Sequence, residues 1–324
     1  MSEVYHIRRR ECNIRCARTT KIMPKRQMRT IFRPMLALLV AAAAATQAAA
    51  EPVRLKDGDR ILLGNLTVPD GAALAQGAVL MVHGSMAHLG QETIAGIQNA
   101  LADRQIPSLA ITLSLGESAR TGMFPCDRVH RHKHSNAVRE IGLWRDWLNR
   151  QGAGKIALFG HSRGGNQMVA YARTAPQGAL AAAVALAPAT WSAQRADAAY
   201  RARHKRDRLA DVKAATSKGD ALLRDHPFLS CPGATVAASS FVDYHRNDPG
   251  RDTPALLDGY PGAPLLVLAG REDKVVPDLI AKMAAVKNPR VAFAVIDDAD
   301  HMFLDFYAED VADRMAEFLE DRFQ

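Results

Sequence analysis

Short, unbroken apolar runs alternating with segments of helical period constrain this chain more than any other feature. Ala78–Val82 (AVLMV), Ser108–Thr112, 155–159, 181–186, 264–269 and Val291–Ile296 each read as a strand apolar on both faces. Segments 91–104, 137–149, 164–173, 277–286 and 304–323 carry apolar residues at helical spacing. A strand buried on both faces needs helices above and below it. Repeated strand–helix units therefore predict a mostly parallel sheet covered on both sides. An earlier strand is expected over 60–68 (RILLGNLTV). One interval breaks the rhythm. Residues 190–262 are polar and charged, with Arg201–Arg208 (RARHKRDR) as a solvated helix face, and a long insertion between strands reads as a lid.

Length and charge narrow the function. The chain has 324 residues and a formal net charge of +8. Residues 1–50 hold ten Lys/Arg and two Asp/Glu, so the remainder carries 32 of each sign. The excess charge belongs to the leader, and a nucleic-acid partner is not expected. The leader reads as an export signal with its core at about 28–50. Arg29 and Arg33 form a basic region, Met35–Val40 and the alanines after it an apolar core, and Ala48-Ala49-Ala50 a cleavage site near Ala50. The apolar run is short for a spanning helix, so no stable membrane span is expected in the mature chain. Residues 1–27 read as an overlong start, with Met23 or Met28 as the first residue. Residues 51–324 form the expected folded domain, in a periplasmic or secreted compartment. Removing 1–50 leaves two cysteines, Cys126 and Cys231, which an oxidising compartment would join. Such a bridge would constrain the unfolded chain by roughly 4–5 kcal/mol.

The chemistry centres on GHSRGG at 160–165, between a strand and a helix. Neither a G-x-x-x-x-G-K-[ST] nor a G-x-G-x-x-G pattern occurs there, which removes a phosphate-cradling loop. A serine on a sharp strand-to-helix turn is a nucleophile elbow, and Gly160 and Gly164 leave room for the close approach it demands. Ser162 then needs a base and an orienting acid, in the order serine, acid, histidine. Of eleven histidines only His301 lies beyond the strand at 264–269. In the turn before it (GREDKVVP, 270–277) Glu272 and Asp273 both qualify by type. The backbone N–H groups of Arg163 and Ser85 are candidates for an oxyanion hole. His83 and His161 are possible pocket residues. His130, His132 and His134 would share one face of a strand and could ligate a metal, but no acidic or thiol cluster supports them, and a hydrogen-bonded loop is preferred. Neither a metal nor a cofactor is expected.

These motifs in this order (VLMVHGS, GHSRGG, LLVLAGREDKVVP and DADHMF) resemble the α/β-hydrolase-fold serine hydrolases, esterase- and lipase-like, over about residues 60–324. The resemblance implies an α/β-hydrolase fold: a mostly parallel eight-stranded sheet flanked by helices, with a helical cap inserted at about 190–262 after the sixth strand. It also selects Asp273, three residues after Gly270, as the acid. The segment 113–122 departs from it in lacking the D-x-x-G-x-G turn common in the family. The expected function is cleavage of a small-molecule carboxylic ester through Ser162, His301 and Asp273. The alternatives are an acyltransferase or peptidase on the same residues, or a non-catalytic envelope binding protein with this fold.

Overall fold

The structure, a computed structural model, describes residues 50–324. The expected leader lies outside the described residues, and its expected cleavage site near Ala50 lies at their edge. Among the described residues no helix is long and apolar enough to cross a membrane.

In chain order the elements are β1 (Glu51–Asp57), β2 (Arg60–Thr67), β3 (Ala78–Val82), α1 (Glu92–Asp103), β4 (Ser108–Thr112), β5 (Val129–His130), α2 (His134–Arg150), β6 (Ile156–His161) and α3 (Arg163–Ala172). They continue as β7 (Ala182–Leu186), α4 (Ala193–His204), α5 (Arg208–Thr216), β8 (Leu222–Phe228), β9 (Cys231–Ala237), α6 (Ala238–His245) and α7 (Thr253–Asp258). The last four are β10 (Leu265–Gly270), α8 (Leu279–Met283), β11 (Val291–Ile296) and α9 (Phe306–Phe323).

Eight strands form one sheet in the order β1-β2-β4-β3-β6-β7-β10-β11. β2 is antiparallel to β1 and β4, and every pair from β4 to β11 is parallel. The mostly parallel sheet is what the strand–helix pattern predicts, and its eight strands are what the resemblance implies. β3, β4, β6, β7 and β10 are buried at every position. Side chains alternate between faces, so such strands must be apolar throughout to cover both. β1 was not anticipated. Its sequence EPVRLKD alternates weakly, and its residues are exposed or half-buried, as befits an edge strand.

The insertion after β7 contains helices as expected, and it also carries the β8–β9 hairpin. β9 pairs in parallel with β5, making a second, three-stranded sheet. Cys126 and Cys231 are disulfide-bonded, Cα atoms 5.5 Å apart, joining the loop before β5 to the first residue of β9. Leu223, Phe228 and Phe241 are buried within the cap. They belong to the same hydrophobic cluster as the sheet, which the polar composition of the interval conceals.

Candidate active site

The carboxyl ends of β3, β6, β10 and β11 bring the motif residues together. Ser162 follows β6 directly and starts α3 with φ 55° and ψ −122°. That conformation costs a non-glycine residue about 1–3 kcal/mol and persists only where its surroundings enforce it. The enforcing contacts are tight. A Cβ on Gly164 would stand 2.2 Å from the His83 carbonyl oxygen, and one on Gly160 would stand 2.6 Å from the Gly164 carbonyl oxygen. Only glycine lets strand and helix approach this closely.

Ser162 Oγ lies 3.0 Å from His301 Nε2, and His301 Nδ1 lies 2.7 Å from Asp273 Oδ2. Nδ1–H therefore donates to the carboxylate, which leaves Nε2 to accept from the serine hydroxyl. The second Asp273 oxygen accepts the N–H groups of Val275 and Val276 at 2.7 and 3.0 Å. Burial alone would raise the Asp273 pKa. The bonds from His301, Val276 and Val275 outweigh it and hold the carboxyl below its ordinary value. Glu272, the other acid of the turn, is exposed and pairs with Lys274 at 2.9 Å. The structure thus separates two residues that side-chain chemistry alone left equivalent.

The β3 loop closes over the serine. A Cβ on Gly84 would stand 3.3 Å from Ser162 Cβ. Among the described residues neither the Ser85 nor the Arg163 backbone N–H finds a protein acceptor.

His83 and His161 lie behind this arrangement, and neither lines the cavity beside it. This corrects their expected place in a pocket. His83 Nδ1–H donates to the Gly84 carbonyl and its Nε2 accepts the Leu113 N–H at 3.0 Å. Burial pushes its pKa down to about 3. His161 Nε2–H donates to the His301 carbonyl at 2.8 Å, and burial lowers its pKa to about 4. Both are neutral struts, His161 fixing the backbone of the loop that presents His301. His130 and His132 are buried as well. Their rings pack with Phe124 and Phe228, and His132 Nδ1 meets Tyr244 Oη at 3.0 Å. Among the described residues no group of His, Cys, Asp and Glu is arranged to hold a metal.

The segment 113–122 is organised by Arg120, which sequence reasoning passed over. Its buried guanidinium donates to the carbonyls of Leu113, Gly122 and Ala87. No periodicity marks such a residue.

A cavity of about 450 Å³ runs from Ser85 and Arg163 under the cap, with Trp191, Tyr200, Tyr244 and Leu229 among its walls. Thr253 anchors the cap's end to the core, accepting from Asn166 Nδ2 at 3.1 Å and donating to the Ala189 carbonyl. Most of these cap residues carried no recognisable motif.

The sequence pattern of the alpha/beta hydrolase family matches residues 79–316. Among curated proteins none matches the chain. Solved structures share its fold at low identity. Est1E from Butyrivibrio proteoclasticus is 16% identical, with a TM-score of 0.57 over 84% of this chain and 98% of its own. An esterase from Pyrococcus furiosus is 15% identical, with a TM-score of 0.57 over 85% and 91%. A monoacylglycerol lipase from Paleococcus ferrophilus is 18% identical, with a TM-score of 0.55 over 81% and 99%.

Proposed function

The chain belongs to the alpha/beta hydrolase family, and from that premise we propose that it is an exported serine hydrolase of carboxylic esters. The observation that carries this reading is the continuous hydrogen-bonded chain from Ser162 through His301 to Asp273, with the serine on a strained turn. A binding protein that only kept the fold has no need of that strain.

His301 takes the Ser162 proton as Oγ attacks the ester carbonyl. Asp273 holds His301 with its proton on Nδ1, and its depressed pKa keeps it ionised to stabilise the imidazolium that forms. The tetrahedral oxyanion accepts from the Ser85 and Arg163 N–H groups, each such donor being worth roughly 10²–10³ in rate. His301 then protonates the leaving alcohol, and water, activated by the same imidazole, releases the acid. No step calls on a cofactor. The esterases and the lipase that share the fold are consistent with a small-molecule ester as substrate.

The test is Ser162→Ala, measured on neutral acyl esters and by fluorophosphonate labelling. Turnover and labelling should both disappear while the circular dichroism spectrum is kept. Undiminished turnover in that variant sinks the assignment. Hydrolysis in the presence of alcohol acceptors should yield free acid; transfer products in excess would make the enzyme an acyltransferase.

A further inference from the structure

Arg163 is unlike the other arginines of the cavity. Arg208 pairs with Asp197, and Arg251 pairs with Asp243 and donates to the carbonyls of Asp243 and Tyr244. Arg203 is exposed and donates to the Leu229 carbonyl. Arg163 is half-buried, lies over the Tyr244 ring at 5.3 Å, and has a single hydrogen bond, from Nε to Ser85 Oγ at 2.7 Å. Among the described residues no carboxylate lies within ion-pair distance of it, the Asp243 charge acting on it only from further off, and its Nη1 and Nη2 make no hydrogen bond. No Asp or Glu lines the cavity. A half-buried cation is ordinarily paired. Here the position next to the nucleophile has one that is not.

A second observation points the same way. His245 lines the same cavity, and its Nε2 is buried with no partner among the described residues. Buried polar atoms are almost always satisfied, so an unmet one beside the cavity favours a polar group there. Burial holds the imidazoles of His134 and His245 at about 3. Near neutral pH they add hydrogen-bonding capacity and no charge.

We propose that the cavity receives an ester bearing a free carboxylate a few bonds from the scissile carbonyl, and that Arg163 binds this carboxylate through Nη1 and Nη2. The assignment rests on the serine-hydrolase reading and names its substrate class. One planar fork matches one carboxylate, in the bidentate manner that guanidinium favours. Ser85 Oγ and Tyr244 fix the plane of the fork from two sides. Arg163 would then serve twice, its backbone N–H at the oxyanion and its side chain at the acid.

The experiment compares kcat/KM for monomethyl glutarate and monomethyl adipate with methyl pentanoate and methyl hexanoate at neutral pH and low salt. The wild type should prefer the acid esters. Arg163→Gln should lower the acid-to-neutral ratio roughly 10- to 100-fold, the loss of a charged hydrogen-bond pair, mainly through KM. Any effect of the substitution on the backbone N–H cancels in that ratio. Arg163→Lys should restore part of it. A ratio that Arg163→Gln does not change overturns the proposal. Where Arg163→Gln does not fold, adipate and 1,6-hexanediol are compared as inhibitors of the wild type on methyl hexanoate. Adipate should inhibit in a salt-sensitive way and the diol weakly, and equal inhibition overturns the proposal. Calorimetric binding of monomethyl adipate to Ser162→Ala separates the two readings. Binding there, with no hydrolysis by the wild type, would keep the carboxylate site and remove the hydrolase. Hydrolysis of all four esters without preference would do the reverse.

Discussion

Beside the cavity, the atoms of the proposed reacting chain are paired off. Both nitrogens of His301 and both oxygens of Asp273 have partners within 3.0 Å. On the side that faces the cap, Arg163 offers two free nitrogens and His245 Nε2 has none of its bonding met. The contrast separates two tasks. A group that must hold one geometry through a reaction is fixed by the protein itself, whereas a group that must recognise something is left for that something to complete. A site with every polar atom satisfied could not gain by binding; one with none satisfied could not aim a nucleophile.

The largest test of that division is Asp273→Asn. The amide keeps the shape of the carboxyl but favours the wrong tautomer of His301, and kcat should fall by about 10⁴ while KM changes little. Steady-state kinetics on a neutral ester would check it, and a loss confined to KM would move Asp273 from the fixed side to the recognising side. Next comes the cap. Cys126→Ala with Cys231→Ala should lower stability by roughly 2–5 kcal/mol in chemical denaturation. Because the bridge lies at the cap and not at the serine, acid-ester KM should rise more than neutral-ester kcat falls.

Acid is a third lever. His83 and His161 have folded-state values of about 3 and about 4 against an ordinary 6.5. The unfolded chain therefore binds protons below pH 6.5 that the folded chain refuses. Their contribution is complete above that value and is lost as pH falls toward 4 and 3, at up to about 1.4 kcal/mol per pH unit for each group. Melting temperatures from pH 7 to pH 4.5 should fall, and His83→Gln should flatten the slope. The smallest effect is expected at Glu272→Gln, which removes only an exposed pair with Lys274. Its kcat/KM should stay within about twofold, since exposed pairs contribute little, and a large drop would show that the neighbouring acids had been told apart wrongly.

The same contrast decides how much could be read from the sequence. Ser162, His301 and the acid turn were legible because the fixed side is built by local rules. A sharp turn needs Gly160 and Gly164, and a parallel sheet needs unbroken apolar strands. Choosing Asp273 over Glu272 needed the resemblance to a family, and the structure supplies the reason: its carboxylate accepts the N–H groups of Val275 and Val276 while Glu272 points to Lys274. The recognising side obeys no period. Tyr244, His245 and Arg251 come from a cap whose sequence reads as polar and irregular, and they meet Arg163 only through tertiary packing. His83 and His161 show the limit of residue type. Histidine beside a nucleophile suggests chemistry, yet burial has made both neutral struts. Arg120 is the strongest case, a buried cation that holds a loop through three carbonyls and the His83 ring.

The separation of Ser162 from His301 along the chain has a consequence for how the protein matures. The two groups are 139 residues apart, and β10, β11 and the His301 loop stand between the cap and the C-terminus. A polypeptide emerging from its N-terminus completes the β6–α3 turn long before the imbedded histidine exists. A chain ending before residue 301 lacks the histidine of the proposed triad, and it also loses the buried α9 residues Val311, Ala312, Met315 and Leu319 from the core. In the proposed mechanism the serine gains its base only once the segment after β11 has packed against the sheet.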